Sequence, residues 1–189
     1  MPEGSPSPPL ARPCPVWSHR QGVDERLETF DLGVARVTLP VPDGAEFSDL
    51  EGLDPGARHL TWEPGPGAHF MLSAGTSPGH TPDGLLAGEA QRGSGLQVDS
   101  DVPAPVAGRG ARRVVYRVTH HRAEEVVAAA DGTLMRVPER DVRQLSDLLF
   151  VPCQASWLRI GYRIDEDAPE ALHARLARML DRVEVSPDA

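Results

Sequence analysis

Between Ser156 and Val185 the spacing of apolar residues changes once, from every second residue to every third or fourth, and this change constrains the fold more than any other feature. Leu158, Ile160, Tyr162 and Ile164 alternate with Trp157, Arg159, Gly161 and Arg163, as on a strand that buries one face. After Asp167-Ala168-Pro169, the residues Leu172, Leu176, Met179, Leu180 and Val183 fall within an arc of about 80° at helical pitch. A strand therefore hands over to an amphipathic helix that lies back on its sheet. The helix is expected to run to about Val185, with Asp167 as its cap and Pro169 and Glu170 in its first turn.

The preceding chain supplies the rest of that sheet. Phe30 to Val41 alternates through Ala35, Val37 and Leu39 and reads as a first strand. His59–Glu63 and His69–Ala74 flank Pro64-Gly65-Pro66-Gly67, which makes them a hairpin. Thr81-Pro82-Asp83 starts a short helix: the hydroxyl caps, the proline takes the first helical position and the carboxylate meets the positive end of the dipole. Gly93 closes it. Leu96–Val102, Arg112–His121 and Leu145–Val151 read as further strands. Between Arg122 and Arg143 two readings stay open, a hairpin turning at Asp131-Gly132 or a loop that orders on binding. The expected architecture is α+β: a mainly antiparallel sheet with one short helix and a long C-terminal amphipathic helix packed on it.

Six prolines before residue 16, with few large apolar groups, make residues 1–28 a flexible tail, leaving 29–189 as one domain. Within that tail Val16-Trp17 is expected to fold back on the domain. Cys14 and Cys153 form neither a CxxC pair nor a metal cluster, and a disulfide between them is not expected. The N-terminus has no basic and apolar leader, and no apolar run reaches the roughly 18 residues that span a bilayer, so a cytoplasmic location is expected. A net charge of −9 argues against nucleic acid and anionic membrane as partners, both of which need a positive footprint. Every basic residue is arginine and asparagine is absent, a bias that suits a GC-rich bacterial genome such as an actinobacterial one.

No residue set compels a reaction, and no cofactor or catalytic residue is assigned. His120 and His121 are strand neighbours that point to opposite faces and cannot share one metal ion; no HExxH spacing or Gly-x-Ser-x-Gly elbow occurs. Gly108-Arg109-Gly110 lacks the Lys-Ser/Thr pair of a phosphate loop. Arginine placement is more informative. Arg113 and Arg117 share one strand face, Arg159 and Arg163 another, each opposite that strand's apolar side. If those strands are neighbours, the sheet shows a basic recognition face with Trp157 as its anchor; otherwise the arginines are consumed by some of the 28 acidic residues.

The order of elements, from the strand ending Pro40-Val41-Pro42 through the Thr81-Pro82 helix to Met179-Leu180-Asp181-Arg182-Val183-Glu184-Val185, resembles the PsbP-like α/β/α sandwich across residues 30–185. That resemblance implies a non-catalytic binding or assembly role and carries over no site residue. The chain departs from it in its arginine-rich second sheet face. The expected function is an adaptor or assembly factor for another protein, acidic or part of a larger assembly. A small-ligand carrier with a cavity between sheet and C-terminal helix is the first alternative, and an enzyme with a loop-assembled site the second.

Overall fold

Strands form wherever the apolar residues alternate, and they form longer than the pattern alone suggests. The computed structural model describes residues 25–50, 57–104, 106, 110–128 and 133–187. Cys14, Val16-Trp17, Gly108-Arg109 and Asp131-Gly132 lie outside the described residues.

β1 (Glu25–Asp31) begins inside the stretch read as tail and forms a hairpin with β2 (Ala35–Pro42). β3 (Ser48–Asp49), β4 (Arg58–Gly65) and β5 (Ala68–Gly75) follow, the last two joined by the Pro66-Gly67 turn. A 3-10 turn at Pro78–His80 leads into α1 (Pro82–Arg92). There the Thr81 hydroxyl accepts the amide of Gly84 at 3.1 Å, as the Thr-Pro-Asp signature requires. β6 (Ser94–Ala104) and β7 (Ala111–Arg122) precede a hairpin of β8 (Glu125–Ala128) and β9 (Leu134–Val137), so the open segment is a hairpin arm. β10 (Arg140–Cys153), β11 (Ser156–Asp165), α2 (Glu170–Asp181) and β12 (Glu184–Pro187) complete the chain.

Seven strands form one antiparallel sheet in the order β3-β4-β5-β11-β10-β7-β6, and β1-β2-β12 form a second. The larger sheet buries both faces. On one, Phe70, Leu72, Leu158, Ile160 and Ile164 meet Val37, Leu39 and Val41 of the second sheet and Leu176 and Met179 of α2. On the other, Val114, Tyr116, Val118, Leu148 and Phe150 pack with Leu85 of α1.

The expectation of a long C-terminal helix packed on the sheet is overturned. Mainly antiparallel sheet and an α+β composition hold, but α2 spans 12 residues and stops at Asp181, and Glu184–Pro187 becomes an edge strand paired with β2. Arg182 leaves helical geometry at φ −107°, ψ 12° with no glycine to announce it, so the helical spacing reaching Val183 hides the change. Asp167 does not cap the helix either: Pro169 holds the N-cap position without a side-chain bond.

The apolar stripe of α2 is placed as the spacing requires, with Leu176 fully buried between the two sheets. Leu176→Ala should cost about 3 kcal/mol through lost transfer energy and the cavity left behind. Urea denaturation checks this, and an unchanged midpoint would remove α2 from the core.

Candidate binding cleft

The sheet order decides what the sequence-selected arginines can do. β10 lies between β7 and β11, and the register Arg117–Leu145–Ile164 and Tyr116–Ser146–Arg163 sends the two arginine pairs to opposite faces. There is no common basic face. Arg113 lies on the α2 side, where Nε and Nη2 fork onto the buried Asp147 at 2.8 and 2.7 Å and Nη1 reaches Asp181 at 2.7 Å. The Asp147 bonds, helped by Asp181, hold this guanidinium above its ordinary pKa. Arg117, on the same face, pairs with Asp99 and with Glu166 at 2.6 Å.

Arg159 and Arg163 turn toward the α1 side. Arg163 donates to Glu89 Oε1 at 2.6 Å and to the Tyr116 hydroxyl at 3.1 Å. Arg159 Nη1 donates to the carbonyl of Gly79 at 3.0 Å and has no carboxylate partner among the described residues. Burial, with Arg163 as its neighbour, pulls Arg159 down to about 10, which still leaves it charged at neutral pH. Trp157 is half-buried against the apolar cluster under α1. Four of the five selected residues are thus occupied within the fold, and the fifth, Arg159, is walled in by the 3-10 turn. His120 and His121 do part to opposite faces, His120 toward Glu89 at 3.3 Å and His121 toward Asp141 at 3.1 Å. Among the described residues no cluster of His, Cys, Asp and Glu could hold a metal ion, and no helix is long and apolar enough to cross a membrane.

A second concavity lies elsewhere, where three chain corners meet at one end of the sheet. The Pro64–Gly67 turn forms one wall, Arg122, Val137 and Arg140 at the base of the arm form another, and Asp165 through the first turns of α2 form the third. Together they enclose an open cleft of about 910 Å³. Helical spacing sets Ala171, Leu172 and Arg175 side by side along its rim.

Its floor is fixed by Asp165. The Asp165 amide donates to Gly67 O at 2.9 Å, and its buried carboxylate accepts Arg122 Nη2 at 2.8 Å and Gln144 Nε2 at 2.9 Å. Gly67 has φ +69°, and a Cβ there would stand 2.2 Å from Asp165 Oδ2, so both the turn and the close approach require glycine. Arg122 is therefore satisfied by the floor. Among the described residues the side chains of Arg140 and Arg175 have no ion-pair or hydrogen-bond partner, and both line the cleft with Pro66, Pro169 and Leu172. The cleft combines an apolar wall with two uncommitted cations and one carboxylate, that of Asp167, equally without an ion-pair partner among the described residues.

The sequence carries local reasons for each of these residues, a turn, a strand end and a helix start, but no signal that the three corners meet. No protein-family model matches the sequence, and no curated protein matches it.

Proposed function

We propose that this protein is a non-catalytic binding module, an adaptor that holds an acidic segment of a partner protein in the cleft at the start of α2. The observation that carries the reading is the contrast among arginines. Those picked out by strand pattern, Arg159 apart, are neutralised by carboxylates inside the fold, whereas Arg140 and Arg175 offer their forks to whatever enters the cleft. Arginine beside an apolar wall is the combination that binds carboxylates with geometric specificity. A volume of about 910 Å³ also suits a small organic anion, which supports the ligand-carrier reading second.

The test is quantitative affinity capture from the source bacterium, using wild-type protein, the Arg140→Glu/Arg175→Glu variant and an Arg26→Glu control on β1. Proteins bound by the wild type and the control should fall by about tenfold or more with the double variant, since each opposed charge pair costs on the order of 1 kcal/mol or more. Cross-links should map to acidic segments of those proteins. A bound set indifferent to the double reversal would overturn the proposal.

A further inference from the structure

We infer that the segment recognised in the cleft is amphipathic, its carboxylates on Arg140 and Arg175 and its apolar side chains on a strip that continues from the cleft onto the β8–β9 arm. This deepens the reading above and rests on it. The arm pairs only with itself: β8 and β9 form a separate two-stranded sheet joined to neither larger one. A hairpin of that size gains little stability on its own and gains it by packing against something. Its apolar residues are nevertheless in water, with Val126 at 59% exposure, Leu134 at 71% and Met135 at 50%.

Strand alternation sorts these residues. Val126, Leu134 and Arg136 share one face of the arm, and Met135 and Val137 share the other. Val137 lines the cleft, and Met135 shares its face of β9 about 6.6–6.8 Å further along the strand. Leu172, Pro66 and Val137 are thus apolar residues of the cleft that holds the two arginines, and Met135 extends the arm face that Val137 begins. A purely polar acidic segment would satisfy the arginines and leave that strip wet. A segment with apolar side chains next to its carboxylates covers both.

The test uses three fluorescein-labelled ten-residue peptides followed by fluorescence anisotropy on the full chain. One carries four leucines and four glutamates, the second serines in place of the leucines, the third arginines in place of the glutamates. The leucine–glutamate probe should bind about tenfold more tightly than the serine–glutamate probe, a ratio expected from covering a few apolar side chains. Met135→Ser, an exposed change whose folding is checked by circular dichroism, should erode that ratio about threefold and leave the serine–glutamate probe unaffected. Equal binding of the two acidic probes, abolished by Arg140→Glu/Arg175→Glu, would overturn the amphipathic inference and leave the acidic-segment reading standing. Failure of both acidic probes, or equal binding of the leucine–arginine probe, would overturn that reading as well.

Discussion

Glu89→Ala is expected to lower stability by about 3 kcal/mol, because it leaves the half-buried Arg163 guanidinium without its carboxylate. Glu89 is fully buried on α1 and faces Arg163 at 2.6 Å, Arg92 at 3.1 Å and His120 at 3.3 Å, with the Tyr116 hydroxyl on the far side of Arg163. Most of the effect belongs to Arg163, since Arg92 is largely in water and its pairing is screened. Urea denaturation measures it, and a loss under about 1 kcal/mol would contradict the placement. Adding Arg163→Met to Glu89→Leu should recover most of the stability, because an apolar pair has no charge to strand.

The same group sets a pH dependence. Burial pushes the Glu89 carboxyl up, but Arg163 and Arg92 outweigh it and hold the folded-state pKa below the ordinary 4.5. A depressed carboxylate contributes stability that is present above pH 4.5 and lost as pH falls through the folded value. Glu89→Gln should flatten that acid limb. An acid limb identical in wild type and variant would mean that the pair does not carry it.

Gly161→Ala is the second large effect, expected to cost about 4 kcal/mol, the sum of overpacking and backbone strain. Gly161 lies at the centre of β11 opposite Leu148, with φ +154°. A Cβ there would stand 2.1 Å from the carbonyl oxygen of Asp147 and 2.9 Å from the Leu148 Cα, so it is the backbone of β10 that must give way. A shift of the strand would also disturb Asp147, which anchors Arg113. Thermal unfolding checks this, and an alanine variant that melts with the wild type would show that β10 and β11 have room to separate there.

These residues show where reading the chain stopped. Leu158, Ile160, Tyr162 and Ile164 were legible as core because burial of one strand face repeats with a period of two, a local property. The fates of Arg113 and Arg163 were not, because they depend on β10 lying between β7 and β11, and strand order is a long-range fact. Local pattern says which side of its own strand an arginine takes, and nothing about which side two distant strands share. β12 escaped for another reason: four residues with one buried valine are too few to show a period, and no glycine ends the helix before them. The cleft was hidden most completely, since Pro64–Gly67 and Asp167–Pro169 each have a sufficient local explanation and become a binding wall only through their meeting.

The arm leaves and rejoins the large sheet at a single rung. β7 and β10 pair directly as far as Arg122 and Arg140, and β8 and β9 lie beyond that rung. Among the described residues, no rung of the large sheet involves β8 or β9. Changes within β8 and β9 therefore leave the pairs of that ladder in place. Under the proposed binding role, exchanging β8 and β9 would change the apolar wall beside Val137 while Arg140 on β10 and Arg175 on α2 stay in place.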